Sequence, residues 1–310
     1  MKSSLVIGTR GSALALWQAE HIRDALRERH PGLNVDLQVI STKGDRVLDR
    51  QLSEIGGKGL FIKEIEAALV DGSIDLAVHS LKDMPWAAPD GLELAVIPER
   101  ASPWDVLCPR DPAHTLHSLP SGARIGTGSL RRITQIRRLR PDLQLVPIRG
   151  NVQTRLDKRS ADREDLHAVV LAEAGLRRLG IWAEGFEVLR APDFLPAPGQ
   201  GALALEIRTD DDDTRALIAS LECPRTRLCA EAERAALHGV EGDCHTPFAA
   251  WADLDGDVMT LHARLLDEDG RATEARESMP VGQGAAGVAA VRAMGTAVAR
   301  GILRQHATGS

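Results

Sequence analysis

Tyrosine is absent from the 310-residue chain, and phenylalanine and tryptophan together supply only 3% of it. Platforms that grip single-stranded nucleic acid stack bases on successive aromatic rings, so that class is excluded. A net charge of −6 argues the same way against nucleic acid as the main partner. No stretch reaches the ~18 consecutive apolar residues of a membrane span, and the opening MKSSLVIGTRGS has too short an apolar run for a signal-peptide core. Four cysteines, Cys108, Cys223, Cys229 and Cys244, show neither C-x-x-C spacing nor an accompanying histidine pattern. Neither a zinc site, nor any other metal, nor a disulfide framework is expected from them. What is present is ordinary for a globular protein, 43% hydrophobic and 26% charged residues. The length suits two or three domains of ~100 to 200 residues. A cytoplasmic enzyme or binding protein is the expectation.

Charge is unevenly spread. Between Arg124 and Arg159 stand nine arginines and one lysine against two aspartates, a local balance of +8 inside an acidic chain. A small, multiply charged organic acid is the expected partner there. The acidic run Asp210 to Asp213 reads as a solvated turn.

Periodicity predicts β-turn-α units. A strand over 5–7 leads through Gly8-Thr9-Arg10-Gly11-Ser12 into a helix with Ala15, Ala19, Ile22 and Leu26 on one face, stopped at Pro31-Gly32. Val35, Leu37 and Val39 alternate as a strand, Gly56 to Gly59 is a loop, and Ile62, Ile65 and Leu69 mark a helix before the strand ending in LAVHSLKDMP. The series restarts at Arg124: strand, GTGSLRR turn, helix, strand over 143–148, RGN turn, helix, strand over 168–171, helix to Leu179. This predicts two α/β lobes. From Arg225 onward a helix, a loop holding Cys244, apolar alternation over 258–266 and an alanine-rich helix over 284–304 read as a smaller α+β domain.

Each turn has a plain reading beside a functional one. Ser12 caps a helix whether or not it also meets a ligand. Arg131 and Arg132 are a solvated pair or planar donors for carboxylates at a helix start. Arg149 in PIRGN and Arg155 one turn further give several basic turns at strand ends. In doubly wound sheets, ligands bind outside the carboxyl ends of the strands. His79 reads as a structural hydrogen-bonding histidine rather than a base, because no orienting partner is evident. Lys82 and Asp83 are a surface ion pair or a functional pair at the cleft mouth. GGKGLF lacks the Walker spacing and its terminal Ser or Thr, so nucleotide binding is set aside.

The ordered stretches IGTRGSALALWQA, GGKGLFIKEIE, AVHSLKDMP, GTGSLRR, PIRGNVQTRL, LAEAGLRRLG, LPAPGQGALALE and GDCHTPFAA resemble the porphobilinogen deaminases, also called hydroxymethylbilane synthases. The resemblance spans nearly the whole chain. It implies two lobes folded like type II periplasmic binding proteins plus a C-terminal α+β domain: 1–101 with 200–219, 102–199, and 224–310. It implies a transferase of tetrapyrrole (heme, porphyrin) biosynthesis. Four porphobilinogen molecules would be joined head to tail, with loss of ammonia, on a dipyrromethane cofactor. That cofactor would be bound as a thioether to Cys244, and the product after hydrolysis would be hydroxymethylbilane. Residue by residue, Asp83 carries over as the catalytic carboxylate, and Lys82, Ser129, Arg131 and Arg132 as cofactor-binding groups. Arg10, Ser12, Arg149, Arg155, Arg178 and Gln200 carry over as substrate-binding groups, with Gly199 beside them. Phe61 packs over pyrrole rings or is a core phenylalanine. A monomer is expected.

Three positions depart from the family pattern: Gly128 where serine is usual, Trp86 for a smaller residue, and Asp243 for the glycine before Cys244. The rival readings are a non-catalytic bilobed binding protein for an organic acid and a thiol hydrolase using Cys244. The first leaves Asp83 and Cys244 unexplained, and the second has only His245, poorly aimed, as a base.

Overall fold

The structure, a computed structural model, describes residues 2–42, 62–160, 165–243, 246–267 and 270–308. The predicted Gly56 to Gly59 loop, Phe61, Cys244 and His245 lie outside these. The chain divides into two compact units, Met1–Arg100 with Ala202–Arg227, and Ala101–Gly201 with Leu228–Ser310.

In chain order the elements of the first stretch are β1 (Ser4–Thr9), α1 (Ala13–Arg29), β2 (Asn34–Val39), α2 (Lys63–Val70), β3 (Leu76–Ser80) and β4 (Leu92–Val96). There follow β5 (Asp105–Pro109), β6 (Arg124–Gly126), α3 (Leu130–Leu139), β7 (Gln144–Val146), α4 (Val152–Lys158), β8 (Ala168–Ala172), α5 (Glu173–Arg178) and β9 (Glu187–Leu189). Then come β10 (Leu203–Arg208), α6 (Asp212–Ile218), α7 (Pro224–Gly239), β11 (Phe248–Asp255), β12 (Val258–Leu266), β13 (Ala272–Pro280) and α8 (Gly284–Thr308).

The first unit holds a sheet in the order β2-β1-β3-β10-β4. β1 runs parallel to β2 and β3, whereas β10 is antiparallel to both its neighbours. The second unit repeats this plan as β7-β6-β8-β5-β9, with β5 the antiparallel member. In each sheet the strand that runs backwards is the one the chain enters directly from the other unit.

Alternation explains the first core. Leu5 and Ile7 of β1, Leu76 and Val78 of β3 and Leu203, Leu205 and Ile207 of β10 are buried against Ala19, Ile22 and Leu26 of α1. The helical residues follow the predicted spacing, and each large aliphatic side chain so buried contributes roughly 2 to 3 kcal/mol.

The C-terminal part of the second unit is an antiparallel meander, β11-β12-β13, covered by α7 and α8. Ala250, Ala252, Met259, Leu261 and Ala263 from the strands meet Val291, Met294, Val298 and Ile302 from α8. By length and hydropathy alone α8 is the one described helix that could cross a membrane, but its apolar stripe is what closes this core. The helices approach closely at Gly295, where a Cβ would stand 2.4 Å from the Ala232 carbonyl oxygen.

The expected solvated turn at Asp210 to Asp213 is corrected. Asp211 caps α6 by accepting from Thr214 N at 3.0 Å, and its other oxygen accepts from Lys2 Nζ at 2.7 Å and from Arg208 Nη2 at 2.8 Å. A helix and a remote lysine make this acid structural.

Candidate active site

Parallel pairing places the carboxyl ends of β1 and β3 at one sheet edge in the first unit, where Arg10 and Ser12 follow β1 and Lys82 and Asp83 follow β3. Ser12 is the N-cap of α1, its Oγ accepting from Ala15 N at 3.3 Å. That bond uses a lone pair, and the hydroxyl proton remains available for donation. Lys82 and Asp83 sit in a single 3₁₀ turn, Leu81–Asp83. Leu81 and Met84 on either side are buried, and Leu81 N donates to Ala202 O at 3.0 Å. The turn is therefore pinned at both ends, with Lys82 half-buried and Asp83 exposed. A solvated carboxylate on a fixed backbone can meet a ligand without a large rearrangement.

His79 and Ser80 reach opposite faces of β3. Ser80 Oγ accepts from Gln18 Nε2 at 2.9 Å. His79 Nε2 lies 3.0 Å from Glu206 Oε2 of β10, the imidazole 6% and the carboxylate 0% exposed. The partner missing from the sequence reading is thus Glu206, an acid within the buried strand LALEIR. Its only signal was a charged residue at a position whose neighbours are all apolar. Glu66 of α2 has its pKa raised, first by its own burial and then by the charge of Glu206.

In the second unit the predicted basic turns again collect at one edge, at the ends of β6, β7 and β8. Because β5 is antiparallel, its first residue, Asp105, lies at this same edge, paired in register with Ala172 and Leu189. Asp105 is fully buried. Its Oδ2 accepts from Arg131 Nη1 at 2.7 Å, and its Oδ1 accepts from Arg132 Nε at 2.9 Å and from Gln200 Nε2 at 3.1 Å. Asp105 is not among the residues that the sequence singles out. The visible hint was an acid opening a strand, DVLCP, of which every residue is buried.

Arg131 and Arg132 occupy the first turn of α3, where the helix dipole disfavours cations. Asp105 offsets this, and one carboxylate between two guanidiniums leaves a net positive centre at the edge. The two arginines are not equivalent. Arg132 directs Nε and Nη2 to Asp105 and Nη1 to Val170 O at 2.9 Å. Arg131 engages Asp105 and Leu195 O through Nη1 alone. Burial lowers the Arg131 pKa, partly countered by Asp105.

Ser129 is the N-cap residue of α3, with its backbone N–H donating to Thr127 Oγ1 at 3.3 Å and without a side-chain capping bond. Arg149 and Arg155 are half-buried near the start of α4. Arg178 Nη2 donates to Gly201 O at 2.8 Å, and burial pushes its guanidinium down to about 10. Gln200 is buried and also donates to Pro103 O at 2.7 Å, while Gly199 N donates to Glu233 Oε2 at 2.7 Å.

The local excess of +8 is partly structural. Arg140 is held by Asp142 and by the carbonyls of Leu116, His117 and Leu119; Arg159 donates to Pro109 O, and Arg138 stands 3.4 Å from Glu274. Arg131, Arg149 and Arg155 of the same segment, with Arg178 beyond it, follow the strand ends at this edge.

Residues 5–216 match the family model described as "Porphobilinogen deaminase, dipyromethane cofactor binding domain", and residues 227–303 match "Porphobilinogen deaminase, C-terminal domain". A protein of Nitratidesulfovibrio vulgaris strain Miyazaki F called porphobilinogen deaminase is 50% identical over 269 residues, 86% of this chain and 83% of its own. One from Xanthomonas axonopodis pv. citri with the same name is 51% identical over 270 residues, 87% of this chain and 88% of its own. A third, from Bordetella parapertussis, is 50% identical over 267 residues, 86% of this chain and 84% of its own. Two basic sheet edges, a pinned Asp83 turn and matches over both parts of the sequence lead to one assignment: the chain belongs to the porphobilinogen deaminase family.

Proposed function

We propose that this enzyme joins four porphobilinogen molecules head to tail with release of ammonia, on a dipyrromethane held as a thioether by Cys244, and yields hydroxymethylbilane after hydrolysis. The observation that carries the reading is the family match through residues 5–216 and 227–303. The donor set fits the group. Dipyrromethane bears acetate and propionate arms, and the half-buried guanidinium of Arg178 near this edge carries the opposite charge and planar donors suited to them. Gly128 lets the turn before α3 pack closely against the segment after β7, since a Cβ there would stand 2.9 Å from Ile148 O. When bound, dipyrromethane supplies the free pyrrole carbon to which the first substrate is joined.

The chain's own residues do the rest. Asp83 accepts from pyrrole N–H groups and stabilises the positive charge that develops on the substrate as ammonia leaves. The same carboxylate can take up the proton that each coupling releases. Lys82, Ser129 and Arg131 hold cofactor carboxylates, with Arg132 acting chiefly by fixing Asp105. Arg10, Ser12, Arg149, Arg155 and Arg178 pair the substrate arms, and Gln200 holds the connection beside Asp105. Phe61 and Cys244 keep the roles that their motifs imply. The three sheets support a division into lobes 1–101 with 200–219 and 102–199, and a C-terminal domain 224–310. A cytoplasmic monomer with no nucleic-acid or membrane partner completes the reading.

Intact mass tests it. Freshly purified active protein should exceed the chain mass by two pyrrole units. Active protein at the bare chain mass overturns the proposal.

A further inference from the structure

Arg264 of β12 is the bulkiest fully buried side chain among the described residues, 2% exposed, and its four nearest polar partners lie outside its own strand. Nε stands 2.9 Å from Glu274 Oε1, Nη2 donates to Pro192 O at 2.8 Å, and Nη1 donates to Asp193 O at 2.9 Å and to Gln135 Oε1 at 3.0 Å. Gln135 of α3 passes the contact on. Its Oε1 also accepts from Leu195 N at 2.9 Å, and its Nε2 donates to Leu195 O at 3.0 Å. Leu195 O in turn accepts from Arg131 Nη1 at 2.7 Å, and the same nitrogen reaches Asp105 at 2.7 Å. The route from β12 to Arg131 is therefore a continuous chain of direct hydrogen bonds, Arg264–Gln135–Leu195–Arg131, and all its side chains are buried.

We infer that Arg264 is a positioning residue for Arg131, so that the C-terminal domain sets how the α3 arginine is presented to the dipyrromethane carboxylates. A guanidinium suits this role because its planar fork binds two carbonyls, a carboxamide and a carboxylate at once, which an ammonium cannot. Gln135 is locked by two bonds to Leu195, and Leu195 O fixes the direction of Arg131 Nη1. A shift of the 192–195 segment would therefore turn the Arg131 fork away from its ligand. The inference rests on the proposed role of Arg131 in holding the cofactor.

Its test is a double-mutant cycle on cofactor loading. Apoprotein is incubated with porphobilinogen, and the mass increment is followed over time for the unmodified chain, Arg264→Lys, Arg131→Lys and the double variant. Arg264→Lys should load about tenfold more slowly, the scale of a small misplacement of a binding group. The double variant should be no slower than Arg131→Lys alone, because both changes remove one alignment. Gln135→Met, which cuts the chain midway and leaves Arg264 with Glu274 and two carbonyls, should reproduce the Arg264→Lys rate even if the lysine variant folds poorly. Arg138→Gln, which removes only the 3.4 Å contact from Arg138 to Glu274 and leaves every bond of the chain in place, should load at the unmodified rate. Normal loading by Arg264→Lys and Gln135→Met, or slowing that multiplies in the double variant, overturns the inference alone. Normal loading by Arg131→Lys overturns the role of Arg131 and the inference with it.

Discussion

Asp83 and Arg132 illustrate two ways in which one charged side chain can matter. Asp83 is exposed, on a turn whose fold depends on Leu81 and Met84, so replacing its carboxylate should leave the backbone as it is. Asp83→Asn is expected to melt like the unmodified protein and to carry its cofactor. Its turnover should fall by on the order of 100-fold or more, the scale of removing one preorganised electrostatic group. Near-normal turnover contradicts the role. Arg132 is the opposite case. With Nε and Nη2 on Asp105 and Nη1 on Val170 O, it neutralises a fully buried carboxylate. Lysine cannot reproduce three directed bonds, and loosening a buried pair costs up to ~3 to 5 kcal/mol when the partner is left uncompensated. Arg132→Lys should therefore lower the melting temperature more than Arg131→Lys, and Arg131→Lys should slow loading more than Arg132→Lys. The reverse order in either measurement shows that the two roles have been exchanged.

Helix α8 sets two glycines in contrasting surroundings. A Cβ at Gly295 would stand 2.4 Å from Ala232 O and 2.8 Å from Ala235 Cβ, whereas nothing lies within 4 Å of one at Gly301. Helix propensity favours alanine over glycine by roughly 1 kcal/mol at both places. At Gly301 that gain stands alone, so Gly301→Ala should stabilise the protein by about 0.4 to 1 kcal/mol. At Gly295 the α7 backbone cannot yield cheaply, and overpacking of about 1 to 3 kcal/mol should reverse the sign. Denaturant unfolding of the two variants should move in opposite directions; a shift of both the same way refutes the close α7–α8 contact. This helix was legible in the sequence because its apolar spacing matches its core face. β13, the partner of β12 over nine residues, was not. Its sequence ATEARESMP carries half-buried and exposed positions without alternation, and only pairing makes it a strand. The turns bearing Arg10, Asp83, Ser129 and Arg149 were legible because a strand end, a glycine or serine and a helix start occur within a few residues. Asp105 and Glu206 were not, because their partners Arg131 and His79 are remote in sequence and a buried acid has no local pattern.

The first unit as a whole is assembled from two remote stretches, and charge helps to join them. Lys2 Nζ lies 2.8 Å from Asp75 Oδ1 and 2.7 Å from Asp211 Oδ2, bringing together three positions that span 209 residues. Arg208 Nη2 adds a second cation 2.8 Å from Asp211. Although burial opposes ionisation, the bonds from Lys2 and Thr214 hold the Asp211 carboxyl down at about 2, against an ordinary value of 3.8. The Asp211 side chain is only 8% exposed, so screening by water is limited. A carboxyl whose pKa is depressed on folding stabilises the folded state fully above its unfolded pKa, and that stability is lost as pH falls through the folded pKa. The depression corresponds to about 2 kcal/mol at neutral pH, to be lost between about pH 4 and pH 2. Asp211→Asn separates this charge from the helix cap, since asparagine caps as well as aspartate. The variant should unfold at lower urea concentration than the unmodified protein at pH 7 and at pH 5, by an amount equivalent to about 2 kcal/mol. The gap should close as pH drops towards 2, because protonation then removes the same charge from the unmodified chain. A gap that stays constant from pH 7 to pH 3 assigns the loss to capping geometry and removes the charge from the account. A gap that widens on acidification contradicts the direction of the Asp211 shift itself.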